Sequence, residues 1–139
     1  MIVPVPIGRL WEIAREWGIT VVWYPSEHYP RGFFCETTDG PYIFLNPAIR
    51  KSTMRYRCTF AHELCHYQAG VCPGLEAKDE ARAMRWAYDL VLPDRWLIPR
   101  LHWEPWRIAE EADVYQHWVE AKLKLMSAGR TYRTIAFRS

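Results

Sequence analysis

The chain has 139 residues, 50% hydrophobic and 24% charged, with a formal net charge of +2. That length and balance suit one folded domain burying roughly two thirds of its extended surface. Mixed charge so near neutrality gives little support for general polyanion binding, and no apolar run approaches the ~18 residues of a membrane span.

Chain order begins with an amphipathic segment from Pro4 to Trp17, where Leu10, Trp11, Ile13, Ala14 and Trp17 form an apolar stripe that ends at Gly18. Arg9, Glu12, Arg15 and Glu16 interrupt it, so no signal peptide is read there and a cytoplasmic setting is expected. Ile19 to Tyr24 is β-branched and aromatic, hence a strand. Arg31 to Glu36 and Pro41 to Leu45 read as two more, joined as a hairpin by Thr38-Asp39-Gly40. A helix is predicted over about residues 52–69, with Ser52 or Thr53 as its cap and Gly70 as its stop. A second helix follows from about Leu75 to Val91, then two or three shorter ones to about Met126, jointed at Pro93, Pro99 and Pro105. Gly129 to Ser139 reads equally as a tail or a last strand. The sum is an α+β fold: a small three-stranded sheet, expected to be antiparallel, packed on a helical bundle, with residues 1–139 as one domain.

The run His62-Glu63-Leu64-Cys65-His66 is the most informative in the chain. Histidines four apart share one helical face, so both imidazoles can reach one zinc ion. Glu63 lies about 100° round the helix, near enough to act on water at the metal without being a ligand in the same way. With five histidines in the chain, chance would produce this pattern in roughly one such sequence in seventy. Hydrolytic zinc sites use a third protein ligand and keep a place for water. Glu76, Asp79, Glu80 and Asp89 lie in the right region, and Glu80 is the choice. It shares a helical face with Ala83, Ala87 and Leu90, and a carboxylate on an inward face is costly unless paired or cation-bound. Asp79 or Glu76 is the alternative. The four cysteines, Cys35, Cys58, Cys65 and Cys72, form no CxxC and read as free, mostly buried thiols, with Cys65 beside the ligands as a small core residue.

Phe60-Ala61-His62-Glu63-Leu64-Cys65-His66-Tyr67 is similar to the AHELGHY-type run of the ImmA/IrrE metallopeptidases. Residues 80–93, EARAMRWAYDLVLP, resemble that family's E-x-x-A-x-x-(F/W)-A-x-x-L-(L/V)-x-P segment. Residues 107–126 resemble the helix-turn-helix-like pair that follows in many members, a subregion set here at about 105–126, and the likeness spans roughly residues 8–126. The resemblance implies zinc held by His62, His66 and Glu80, with Glu63 as catalytic base. It also implies a regulatory peptidase of phages, mobile elements or stress responses whose protein substrate is often a helix-turn-helix repressor. Cys65 stands where that family commonly has Gly, which bears on the substrate channel rather than the metal.

Metal-assisted peptide hydrolysis is the expected chemistry, with zinc as cofactor and Glu63 moving the proton. Tyr67, Tyr88 and His102 are candidates for oxyanion stabiliser or cleft wall, while His28 and His117 read as structural. Trp11, Trp17, Trp86, Trp96 and Trp118 suit helix packing, and Trp103 and Trp106 suit the rim of a peptide groove. Two other readings stand beside the enzyme: a DNA-binding regulator, and a catalytically silent zinc-containing module that binds a repressor. Glu110, Glu111, Asp113 and Glu120 against Lys122 and Lys124 disfavour DNA contact by the helical pair. No oligomeric state is legible.

Overall fold

The computed structural model describes residues 3–70 and 77–128, with the side chains of residues 77–79 left aside. The first helix, α1 (Ile7–Glu16), buries Leu10, Ile13 and Ala14 and ends at Gly18, whose φ of 71° suits a residue without a Cβ. Strands β1 (Thr20–Trp23), β2 (Gly32–Thr37) and β3 (Gly40–Leu45) form one sheet in the order β1-β3-β2. The hairpin is antiparallel, with Phe33 opposite Phe44, but β1 runs parallel to β3, with Thr20 opposite Tyr42. The sheet is therefore mixed, not wholly antiparallel. Hairpin chemistry between β2 and β3 is local, whereas β1 is placed by helix α1 packing behind it.

Alternation sends Phe34, Ile43 and Leu45 into the core. The opposite face carries stacked, half-exposed rings, Phe33 to Phe44 at 4.7 Å and Tyr42 to Phe44 at 5.9 Å between centroids. After a single 3₁₀ turn (Pro47–Lys51), helix α2 (Thr53–Ala69) runs under the sheet. Its start is fixed by Ser52, whose side chain accepts from the Arg55 N–H, and its end by Gly70 in the left-handed region at φ 72°. Phe60, Ala61, Leu64 and Cys65 are buried along its length. Helix α3 (Ala77–Val91) packs alongside through Ala83 and Ala87, both fully buried small residues that let the two backbones approach.

A short helix α4 (Asp94–Leu97) leads by a 3₁₀ turn into α5 (Pro105–Ala112) and α6 (Gln116–Ser127). The turn between the last two is made by Asp113 at φ 56°, a left-handed conformation rare outside glycine. Arg57 of α2, itself buried, holds that turn: it donates to Asp113 at 3.2 Å and to the Val5 carbonyl at 2.6 Å. The α5–α6 pair is thereby latched onto the helix that carries the HExxH run. Among the described residues, no helix is long and apolar enough to cross a membrane.

Candidate metal centre

Helix α2 places His62 and His66 one turn apart, their ring centroids 4.7 Å from each other. Ligand atoms of His62, Glu63 and His66 all lie within 4.8 Å of one another. Glu80, at the described start of α3, turns its carboxylate onto the same pair. Oε1 stands 2.6 Å from His62 Nε2 and Oε2 stands 3.3 Å from His66 Nε2. Two carboxylates thus compete for the two histidines, and their surroundings tell them apart. Glu80 touches both imidazoles, while Glu63 is buried, takes a hydrogen bond from the Phe34 backbone and leaves Oε1 without a hydrogen-bond partner.

Burial pushes the Glu63 carboxyl up to about 8, the Glu80 charge adds to the rise, and the Phe34 N–H only partly offsets it. Burial likewise pulls His62 down, against the pull of Glu80. A largely neutral imidazole and a carboxylate do not rest at 2.6 Å unless a proton or cation stands between them. Tetrahedral zinc with bonds of about 2.0–2.1 Å to nitrogen and oxygen sets its ligand atoms roughly 3.3 Å apart. The contacts come from different oxygens, Oε2 at 3.3 Å from His66 and Oε1 at 2.6 Å from His62, so Glu80 must draw back from His62 for one ion to sit among the three side chains. The donor set, two imidazoles and a carboxylate, is one zinc accepts. Glu76 and the Asp79 side chain, the alternative third ligands, lie outside the described residues. Asp89 is buried elsewhere on α3, 3.3 Å from the Lys122 ammonium.

The four residues open onto a cleft of about 460 Å³. Its other walls come from β2 and from the start of α6: Arg31 and Gly32 on one side, Tyr115, His117 and Trp118 on the other. None of the sequence-derived wall candidates lines it. Tyr67 packs its ring on Trp17, 5.5 Å between centroids, and edge-on to Phe34. Tyr88 lies edge-on to Trp118 in a neighbouring groove between α3 and α6, and burial raises its phenol. His102 is exposed beside Trp103 on the α4–α5 connection, and Trp106 is exposed in the first turn of α5. Trp103 lies beneath the Arg107 guanidinium at 3.9 Å. His117, read from the sequence as structural, is instead at the cleft. Its position is set by the Asp113 turn and the Arg57 latch, which leave no local signature. The contact is tertiary: Cys58, four residues before His62 on the same face, takes a hydrogen bond from the Tyr115 backbone.

Cys58 also lines the cleft; burial pushes its thiol up to about 12 despite that hydrogen bond. Cys65 is held well above the usual thiol range by burial, with Asp89 and Glu63 adding to it. Both are neutral thiols, and Cys65 points into the core behind the histidines. Cys72 lies outside the described residues.

A family model, Peptidase M78 (IrrE N-terminal-like domain), matches residues 14–120. No curated protein and no solved structure matches the chain.

Proposed function

The chain belongs to the Peptidase M78 family of IrrE N-terminal-like domains, and on that premise we propose that it is a zinc-dependent metalloendopeptidase that cleaves a regulatory protein. His62, His66 and Glu80 are the ligands in this reading and Glu63 is the base. The observation that carries it is the division of labour between the two carboxylates: Glu80 meets both Nε2 atoms, while Glu63 keeps a buried oxygen free of hydrogen bonds.

Bound zinc would supply Lewis-acid polarisation of the scissile carbonyl and bring the pKa of water towards neutrality. The remaining chemistry belongs to the chain. A nearby cation favours the ionised form of a carboxyl that burial alone keeps protonated, so Glu63 becomes a carboxylate when the ligands are filled. Its Oε1 then takes the proton of the attacking water and passes it to the leaving amine. The Phe34 N–H bonded to the same side chain holds it in one orientation throughout.

The sheet offers a seat for the substrate. Arg31 accepts from the Asn46 N–H across the hairpin, so odd-numbered residues of β2 face β3 and even-numbered ones turn their backbone groups outward. The Phe34 hydrogen bond to Glu63 agrees with that alternation. Gly32 therefore presents its N–H and carbonyl on the open edge, at the cleft, where an extended peptide can add as a further strand. Within the proposal, residues 1–139 act as one metallopeptidase domain, and the helix-turn-helix-like pair serves the cleft rather than DNA. A helix-turn-helix repressor, encoded in a phage or mobile element and met in the cytoplasm, is the substrate we propose.

The test is metal content and cleavage in parallel. The purified protein should hold about one zinc per chain, with His62→Ala and Glu80→Ala losing most of it. Glu63→Gln should keep the metal and lose proteolysis. A protein that takes up no zinc from excess metal refutes the reading. Zinc uptake without cleavage of any candidate repressor would favour the silent binding module.

A further inference from the structure

The proposed reaction develops negative charge on the scissile carbonyl oxygen, and a preorganised donor aimed at it is worth a large share of the rate. Neither the ligands nor Glu63 can be that donor. We propose that His117 is: its imidazole, stacked on the Tyr115 ring at the start of α6, donates a hydrogen bond to the carbonyl oxygen as the bond to it lengthens. The assignment rests on the peptidase reading of the same cleft.

Beyond the ligand set, few donor side chains of the cleft reach solvent. Thr59 and Trp118 are buried, as is the Tyr115 hydroxyl, which has no hydrogen-bond partner. Arg31 and His117 remain, both exposed and both at the cleft. They differ in how firmly they are held. The His117 ring lies face to face with Tyr115, 5.1 Å between centroids and 17° between planes. The Arg31 guanidinium sits 5.9 Å from the centroid of the same Tyr115 ring, on a long side chain with more freedom to lose. A donor that needs no rearrangement when charge appears is the more effective one.

The stack is in turn registered to the metal-binding helix. Arg57 and Cys58 precede His62 on α2 by five and four residues. Arg57 grips Asp113, and Cys58 takes the Tyr115 backbone hydrogen bond. The turn that carries Tyr115 and His117 is thus pinned to the helix that carries both histidines. Tyr115 is a positioning residue here: its ring fixes the imidazole plane, and its hydroxyl is not required.

The experiment compares two probes on zinc-loaded full-length protein by calorimetry. One is a phosphinic dipeptide isostere, whose tetrahedral anion mimics the charged carbonyl; the other is a thiol with the same flanking side chains, which engages the metal alone. His117→Ala should weaken the phosphinate about 100-fold and leave the thiol within roughly threefold. His117→Gln, which keeps a donor, should recover part of the loss. Tyr115→Phe should bind as the parent does, whereas Tyr115→Leu should lose phosphinate selectively. Arg31→Ala should affect the two probes alike. Equal phosphinate affinity in the parent and His117→Ala, or a selective loss in Arg31→Ala instead, overturns the assignment. A loaded parent protein that binds neither probe ends the peptidase reading, and the assignment falls with it. Zinc stoichiometry and the thermal midpoint of each variant show that the metal site and fold are intact.

Discussion

Lys122 on α6 is fully buried, and its ammonium touches the Leu92 carbonyl, Asp94 at 2.7 Å and Asp89 at 3.3 Å. Replacing it with Met keeps most of the volume and removes the charge. The Asp94 side chain, 31% exposed, can turn to water and should contribute little. Asp89 cannot, since its side chain is 2% exposed, so Lys122→Met leaves a carboxylate in the core without that cation. Breaking such a pair costs about 3–5 kcal/mol, a large fraction of the roughly 5–15 kcal/mol that holds a domain together. For a chain of this length the midpoint should fall by about 10–15 °C. Urea titration of metal-free protein, followed by tryptophan fluorescence, gives the free energy directly. Adding Asp89→Leu to Lys122→Met should return part of the loss, because the desolvation penalty of the pair leaves with it. A Lys122→Met cost below about 1 kcal/mol, or two costs that simply add, would refute this account of the cluster.

Other outcomes follow from the same physics. Glu63, held near 8 in the metal-free fold against 4.5 when unfolded, keeps a proton in the native state that the unfolded chain releases. Stability of the metal-free protein should therefore fall as pH rises between those two values, and Glu63→Gln should escape the fall. Its advantage in urea should grow to a few kcal/mol by pH 8 and shrink towards pH 5; an advantage that does not change with pH would sink the idea. At Gly32 an added Cβ would stand 2.7 Å from the Phe44 carbonyl oxygen, backbone that cannot swing aside. Gly32→Ala should cost about 1–3 kcal/mol in the same titration, and a neutral result would mean β2 can shift freely at the cleft. Native protein treated with iodoacetamide at pH 8 should be labelled at half-buried Cys35 long before Cys58, whose raised pKa leaves almost no thiolate. Peptide mapping that finds both labelled at one rate would contradict the burial of Cys58.

What the sequence made legible was local chemistry. Helix α2 was readable to within a residue because its two ends are written in side chains: a Ser52 hydroxyl for the first turn and a glycine for the left-handed stop. The hairpin was readable because turn and strands are adjacent. The parallel pairing of β1 with β3 was not, since seven residues of connection after Tyr24 carry no periodicity and the partner is chosen by what α1 buries. Glu80 stood out because its helical neighbours Ala83 and Ala87 are small and apolar, and both are fully buried against α2. Asp113 carried no such mark. A left-handed residue at the end of a helix is normally announced by glycine, and here the conformation is held by Arg57 from 56 positions away.

That difference explains why half of the cleft was visible and half was not. The wall with His62, His66 and Glu80 is one helix and the start of the next, so local helical spacing was enough to point to it. The facing wall depends on contacts from distant α2, the Arg57–Asp113 ion pair and the Tyr115 backbone hydrogen bond to Cys58, and nothing within residues 113–118 encodes where that turn will land. The consequence reaches function. If the Arg57 latch is the stronger of these contacts, then loosening it should spare zinc and disturb what faces zinc. Arg57→Met should accordingly keep most of its metal while losing preferential affinity for a phosphinate over a thiol, as His117→Ala does. It should also lose about 1–3 kcal/mol of stability, since the buried Val5 carbonyl would lose its donor, while the Asp113 side chain, 25% exposed, can turn to water. Loss of zinc in Arg57→Met, in protein shown to remain folded, would mean that the two walls are not separable and that the metal site itself depends on the turn.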